Sequence, residues 1–236
     1  KGTDSRSRSL FKSDVISVFG SQQKIGRTAY SINLAASLCQ ETRQKTVLLD
    51  MSPSGAEISS KLHMAKKVPL THFHNIDNEP PEILSNFLVQ HPMGFEVLSV
   101  AHEEKSHVGE SIIIPLINHL AVEYRFIIIV LPVGIDEMVF KTLTQSDFIF
   151  FVTDSSLTNI TETRETIADI EKNLSFPEEK MAVVIHEAFC GMSATGSRRK
   201  DLFYTGPMAL SAKDRDWVRE RLIQAIHEVT ERAQAS

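Results

Sequence analysis

Residues that could hold a phosphate group lie near the start of the chain, where Gly26, Arg27 and Thr28 follow one another. Backbone N–H groups at a helix N-terminus bind anions, and a cationic side chain beside a hydroxyl adds contacts to the outer phosphates and to magnesium. The strict phosphate-loop pattern fails, because arginine replaces the expected lysine and Gly20 precedes Gly26 by six positions rather than five. Taken alone, the segment fits an ordinary strand-to-helix turn equally well.

The residues on either side of this loop predict a strand before it and a helix after it. A β-branched and aromatic run, Val15 to Phe19, ends at Gly20. Apolar residues then recur at helical spacing from Ile32 to Leu38. A strand, a glycine-bounded loop and a helix over residues 14–38 is the arrangement that phosphate-binding loops use.

Composition limits the class of protein. The chain has 236 residues, 42% hydrophobic content and a net charge of -5, which is typical of one sizeable α/β domain. No apolar run approaches the roughly 20 residues of a membrane-spanning helix. The two cysteines, Cys39 and Cys190, are too few for a disulfide framework and indicate a reduced, cytoplasmic compartment.

The first 13 residues differ from the rest in composition, being serine-rich and basic. We predict that residues 1–13 are a linker or the remnant of an expression tag, and that residues 14–236 form a single domain. A linker would imply more chain upstream in the full protein.

The rest of the chain alternates between predicted strands and helices. Strands are predicted at 45–50, 95–100, 126–130, 147–152 and 181–185, and helices at 82–90, 112–124 (interrupted near its start by Pro115), 137–144 and 161–174. The run FIIIV at 126–130 is the most apolar, which favours the centre of a sheet. This alternation predicts a doubly wound, mostly parallel sheet flanked by helices, with ligands at the carboxyl ends of the strands.

Three other features have weaker functional interpretations. His72 and His74 could chelate a metal, but no cysteine or carboxylate at ligand spacing joins them. The basic run Arg198 to Lys200 is typical of a solvated loop on an acidic chain, so we do not expect a nucleic-acid partner. A final amphipathic helix is predicted at 213–232, and its mixed charges favour docking on the domain or on a partner protein over a membrane surface.

Five segments, in order, resemble the ParA/MinD group of deviant P-loop ATPases. SQQKIGRT (21–28) is similar to that group's GKGGVGKT, TVLLDMSPSG (46–55) to VLLIDxDPQG, and YRFIIIVLPVG (124–134) to YDxIIIDTPPG. SDFIFFVTDSSLTNITETRE (146–165) and MAVVIHEAF (181–189) resemble its later strands. The resemblance covers about residues 14–190. It implies a P-loop NTPase fold with ATP or ADP and magnesium as cofactors, and the alternative is a chain of this fold that binds no cofactor.

The resemblance also implies which residues would contact the nucleotide. Thr28 would be the magnesium ligand. The implied nucleotide-binding set is Ser21, Gln22, Gln23, Lys24, Ile25, Gly26, Arg27, Thr28 and Asp50. In this set, Gln23 and Lys24 replace glycines of the family, which would crowd the loop.

Several departures from the family pattern fall on catalytic positions. Gln22 stands where a family lysine reaches the partner's nucleotide across a dimer, and Ser52 stands where an aspartate orients the attacking water. Val130 replaces the aspartate that holds magnesium through water. Phosphoryl transfer depends on positioned charge, and losing one such group costs about 10²–10³ in rate. We therefore predict a pseudo-ATPase with no catalytic residues.

The function implied is a scaffold or localisation factor for pilus or secretion assembly or for polar placement. The degraded loop and basic linker resemble the CpaE/TadZ type, with flagellar-number regulators as close competitors. We expect a cytoplasmic homodimer, recruited by protein partners to the cell pole or the inner membrane surface. The alternative is an active ATPase in which Arg27 and Lys24 replace the usual lysines. His186 replaces the asparagine that family members use near adenine, so that contact is not predicted.

Overall fold

A computed structural model describes residues 13–64, 67–101, 108–154, 156–177 and 180–185. The strands are β1 (Asp14–Phe19), β2 (Thr46–Asp50), β3 (Val68–Pro69), β4 (Val89–Gln90), β5 (Glu96–Ala101), β6 (Phe126–Val130), β7 (Phe148–Thr153) and β8 (Met181–Ile185). The α-helices are α1 (Arg27–Thr42), α2 (Glu57–Lys61), α3 (Val108–Glu123), α4 (Glu137–Thr144) and α5 (Leu157–Leu174). Short 3₁₀ turns cover Leu70–Phe73, Ile76–Asn78 and Pro81–Asn86.

The strands form one sheet in the order β3-β5-β2-β6-β1-β7-β8, with β4 paired to β5. The β4 pairing is antiparallel, and the other described pairings are parallel. The predicted doubly wound, mostly parallel sheet is therefore confirmed. The apolar strand β6 lies in its middle, between β1 and β2, as predicted.

Alternate residues of the central strands pack on opposite faces of the sheet. Ile127 and Ile129 belong to the core that includes α3 and α4, whereas Ile128 and Val130 belong to the core that includes α1. All four side chains are fully buried, and burying each contributes about 1.5–3 kcal/mol. Helices on both faces explain why β6 is apolar throughout rather than alternating.

The parallel arrangement brings the carboxyl ends of β1, β2, β6 and β7 to one side of the sheet, which we call the carboxyl edge. Backbone hydrogen bonds continue there past the strands. The Met51 N–H donates to Val130 O at 3.0 Å, and the Leu131 N–H donates to Val18 O at 3.0 Å. The loops after these strands are therefore fixed side by side where a ligand is expected.

The helix predicted at 82–90 is wrong. The chain forms the 3₁₀ turn Pro81–Asn86 and then the short strand Val89–Gln90, which pairs with β5 through a turn containing Gly94 at φ +101°. The apolar residues of this segment still pack on the core, Leu84 being fully buried. Spacings of three and four residues suit a 3₁₀ turn over so short a span as well as they suit an α-helix.

Two predicted helices extend further than expected. α3 begins at Val108 and continues through Pro115 without ending there. α5 begins at Leu157, where the Asn159 N–H donates to the Ser156 side chain and caps the helix. The predicted helix at 213–232, the basic run 198–200 and residues 1–12 lie outside the described residues, so the linker and single-domain assignments stay predictions. Within the described ranges, no helix is both long and apolar enough to cross a membrane.

Candidate phosphate-binding site

The loop after β1 leads directly into α1. Gly26 is the N-cap of α1 at φ +91°, and the Tyr30 N–H donates to its carbonyl at 2.9 Å. No side chain caps this helix, and its first turn contains no acidic residue. A helix N-terminus of this kind favours a bound anion, because the first N–H groups and the helix dipole both attract negative charge.

Ile25 anchors the loop to the body of the protein. Its side chain is buried and lies against Gly20. A Cβ on Gly20 would stand 2.5 Å from Ile25 Cδ1 and 3.1 Å from Val152 O. A larger residue at position 20 would therefore displace the Ile25 side chain and crowd the Val152 carbonyl, and Ile25 is packed inside the protein rather than exposed.

Arg27 lies beneath the loop, with only 5% of its side chain exposed. Nη1 lies 3.5 Å from Gly20 O, and Nη2 lies 3.3 Å from Glu57 Oε2 and 3.5 Å from Glu57 Oε1. Its Nε is the one buried side-chain polar atom, among the residues described, that has no hydrogen-bond partner. The guanidinium is thus paired in charge but incompletely hydrogen-bonded.

Thr28 contacts the same carboxylate. Its hydroxyl donates to Glu57 Oε2 at 3.1 Å, so Glu57 accepts from both residues that were predicted to contact the outer phosphates and magnesium. Glu57 itself was not predicted from the sequence to belong to the site. The available signal was that Glu57 is the one charged residue between Asp50 and Lys61.

Asp50 positions the segment that carries Glu57. Its two carboxylate oxygens accept from the Ser52 N–H at 3.0 Å and the Ile58 N–H at 2.8 Å. Burial raises the pKa of Asp50 above its usual range, although these backbone hydrogen bonds oppose the shift. Asp50 therefore holds the start of α2, and Gly55, at φ +58°, lets the same segment approach the end of β5.

The outer part of the loop faces α5 instead. The Gln22 amide donates to Glu162 Oε2, and Ser21 Oγ lies 3.4 Å from Thr163 Oγ1. Gln22 is therefore engaged within its own chain. Gln23 and Lys24 are exposed, and Lys24 adopts the left-handed φ of +62° that a glycine would take without strain.

Six of the nine predicted nucleotide-binding residues are thus divided among three environments, whereas Ile25 is buried, Gly26 caps α1 and Asp50 holds the start of α2. Arg27 and Thr28 meet at Glu57, residues 21–22 face α5, and residues 23–24 face solvent. The fully buried valine Val130 ends β6 where a magnesium-side carboxylate was missing from the sequence. No group of three or more His, Cys, Asp or Glu residues forms a metal site within the described ranges.

This arrangement does not fit a magnesium nucleotide as it stands. A phosphate approaching Arg27 and Thr28 would meet the Glu57 carboxylate, which already accepts from both side chains. Two negatively charged groups competing for the same donors repel each other. The residues that could hold phosphate are present, but a side chain of the chain itself contacts them.

No family model and no curated protein matches the sequence. Solved structures do match. A ParA family ATPase from Chlorobium tepidum superposes with a TM-score of 0.61 at 17% identity, covering 73% of each chain. A chain of the MinC:MinD cell division protein complex from Aquifex aeolicus superposes with a TM-score of 0.56 at 16% identity, covering 73% of this chain and 68% of that one. The septum site-determining protein MinD from Pyrococcus horikoshii, in complex with Mg-ADP, superposes with a TM-score of 0.54 at 19% identity, covering 72% of this chain and 68% of that one. The fold is that of ParA/MinD-type P-loop ATPases, as the resemblance predicted.

Proposed function

We propose that this chain, which has the fold of the ParA/MinD-type ATPases, is a non-hydrolysing member of that group and acts as a scaffold or localisation factor. The observation that carries the proposal is at the end of the central strand. Val130 is fully buried there and packs with Ile128 in the core beside α1, so its side chain offers no oxygen to a metal or to water.

Two further positions support the loss of hydrolysis. Ser52 stands where the family aspartate would orient water, and its hydroxyl accepts from the Glu57 N–H at 3.4 Å. The Gln22 amide is held by Glu162 of the same chain and carries no charge. Each missing charge removes about 10²–10³ in rate, although such losses do not simply add.

The carboxyl edge also carries exposed apolar side chains that suit a protein partner. Val133 and Ile135 follow β6, and Leu157 and Ile160 lie in the first turn of α5, with Leu157 81% exposed. Apolar residues grouped at one edge favour association over solvation. We propose that they contribute to a homodimer across this edge, replacing the contact that a lysine at position 22 would make.

The cellular role belongs to the same proposal. The degraded loop and the basic linker of this chain resemble those of the CpaE/TadZ type. This resemblance favours a role in pilus or secretion assembly or in polar placement. One similar structure, the MinC:MinD complex, contains this fold together with a second protein. Recruitment of the chain by protein partners to the cell pole or the inner membrane surface follows from this role.

The experiment that tests the loss of hydrolysis is a steady-state phosphate-release assay with magnesium and ATP. We expect wild-type protein and the Arg27→Ala variant to release phosphate at the rate of buffer alone. Turnover by the wild type that disappears in Arg27→Ala would overturn the proposal, because it would assign the activity to this loop.

The second candidate is an active ATPase that uses Arg27 and Lys24. The observation in its favour is that Lys24 is exposed at the tip of the loop and could extend toward a second copy. This candidate predicts turnover that rises with protein concentration and is lost in both Arg27→Ala and Lys24→Ala. Lys172→Ala, which removes an exposed lysine from the last turn of α5, is the matched control and should leave such turnover unchanged.

A further inference from the structure

We propose that Glu57 is an internal anion that occupies the phosphate position of this loop and must rotate away before a polyphosphate binds. Glu57 belongs to the same site as the proposed function, and this inference rests on that function only for the expected absence of hydrolysis. The ligand class is a diphosphate or triphosphate, free or carried by a nucleoside.

The contacts of Glu57 are those that a phosphate would make. Its Oε2 accepts from Thr28 Oγ1 at 3.1 Å and from Arg27 Nη2 at 3.3 Å, beside the N-terminus of α1, which has no side-chain cap. A carboxylate and a phosphate both accept charge-assisted hydrogen bonds from a guanidinium. Glu57 therefore satisfies locally the donors that an anion would otherwise satisfy.

One carboxylate satisfies these donors incompletely. A guanidinium has five N–H donors, and Arg27 Nε is buried without a partner while the Nη contacts are long, at 3.3–3.5 Å. An unpaired buried donor is costly. A phosphate group has more acceptor oxygens than a carboxylate, so the site is built for a larger anion than the one it holds.

Glu57 has a route out of the site. Its side chain is 35% exposed, against 5% for Arg27, and it occupies the first turn of the five-residue helix α2. The backbone there is held independently, since Asp50 accepts from the Ile58 N–H at 2.8 Å. Rotation of the Glu57 side chain into solvent would open the site without unfolding α2.

Removing the charge at position 57 should therefore strengthen anion binding. In Glu57→Gln, the phosphate no longer competes with a carboxylate for Arg27 and Thr28. We expect inorganic pyrophosphate to bind at least about tenfold more tightly than it binds the wild type, the factor that one charge-assisted hydrogen bond contributes.

The test is isothermal titration of inorganic pyrophosphate without metal into the wild type, Glu57→Gln and Glu137→Gln. Glu137 is the matched control, because it begins α4 as Glu57 begins α2 but pairs with Lys141 at 3.2 Å instead of with the loop. Tighter binding by Glu57→Gln, with Glu137→Gln unchanged, is the expected result. Equal or weaker binding by Glu57→Gln would overturn the proposal.

Two further variants keep the outcome decisive. Glu57→Asp retains the charge on a shorter side chain and is used where Glu57→Gln does not fold; we expect it too to bind pyrophosphate more tightly than the wild type. The double variant Arg27→Gln/Glu57→Gln should lose the gain. A gain that persists in the double variant would overturn the assignment to this site.

Repeating the titration with magnesium and ATP separates an internal anion from a metal ligand. Tight binding by the wild type that is lost in Glu57→Gln would assign Glu57 to magnesium and overturn the inference. Phosphate release by the wild type would overturn the proposed function instead. The two failures are therefore distinguishable.

Discussion

Arg27 places a positive charge where almost no water reaches it, and Glu57 balances that charge from a more exposed position. The pair is asymmetric. Removing Glu57 leaves a buried charge without its partner, which is the costly change, whereas removing Arg27 leaves a carboxylate that can turn toward solvent. The net charge that an approaching anion meets therefore depends mainly on where the Glu57 side chain lies.

Lys24 is a residue in a backbone conformation that suits glycine, with φ at +62°. Because a Cβ is strained there, we expect Lys24→Gly to be more stable to urea than Lys24→Ala by about 1 kcal/mol. The alanine variant is the control, since it removes the same charge and keeps the Cβ. Equal unfolding free energies in the two variants would contradict this prediction.

The raised pKa of Asp50 makes a prediction about pH. Burial disfavours the charged form, so between the ordinary aspartate pKa of about 3.9 and the raised value the folded chain binds more protons than the unfolded chain. Protonation of Asp50 in the folded chain therefore stabilises the protein at low pH, and this stabilisation is lost as pH rises through that window.

Asp50→Asn removes this titration. We expect its urea unfolding free energy to fall less steeply than that of the wild type as pH is raised from about 4, near the ordinary aspartate pKa. The control is Ser99→Ala, which changes the buried polar residue opposite Asp50 on β5 and removes no titratable group, so it should keep the wild-type slope. Identical slopes for Asp50→Asn and the wild type would show that burial of the Asp50 charge does not contribute.

At the scale of elements, the segment between β2 and α2 depends on Gly55. A Cβ at this position would lie 2.7 Å from Ala101 N and 2.8 Å from Val100 C, both backbone atoms of β5, and the φ of +58° adds strain. Gly55→Ala should therefore shift the segment or destabilise the protein by about 2–3 kcal/mol, measured by urea unfolding.

Gly134 supplies the control for this prediction. It has a φ of +90°, but a Cβ added there would have no neighbouring atom within 4 Å, so only backbone strain remains. Gly134→Ala should cost about 1 kcal/mol. Equal losses in the two variants would mean that contact with β5 does not constrain the segment.

The elements that the sequence predicted well are those with long, periodic apolar runs. The five residues of β6 are uniformly apolar because both faces of the sheet are covered, and the pattern shows this directly. β3 and β4 have two residues each, and α2 has five, which is too short for a period to appear. Their positions depend on pairing with β5 and on Asp50, which are tertiary contacts.

The candidate site could likewise be predicted only where it depends on local sequence and not where it depends on tertiary contacts. The loop and its Thr28 follow from local spacing, but the contact of Thr28 with Glu57 joins residues 29 positions apart. It forms because the loops after β1 and β2 meet at the carboxyl edge, with β6 between the two strands. A single sequence predicts which strands and helices flank this edge. It does not show which side chain of one loop contacts the other loop.

At the scale of the whole molecule, the apolar side chains of the carboxyl edge predict self-association. We expect Leu157→Glu, at the most exposed of them, to raise the dimer dissociation constant at least about tenfold in sedimentation equilibrium. Val122→Glu is the control, because Val122 is also exposed but lies near the end of α3, toward the amino end of β6. Loss of the dimer in Val122→Glu alone would place the interface elsewhere.

We propose that the chain keeps the fold of the P-loop ATPases but lacks the charges that ATP hydrolysis needs. Single-turnover hydrolysis tests this, with protein in excess over γ-labelled ATP and magnesium, in the wild type and in Glu57→Gln. Because Glu57→Gln removes the carboxylate that contacts Arg27 and Thr28, the variant tests catalysis separately from binding. We predict that both proteins release the label at the rate of buffer alone. Release by Glu57→Gln that is abolished by adding Arg27→Ala would show that the loop still catalyses hydrolysis and would overturn the proposal.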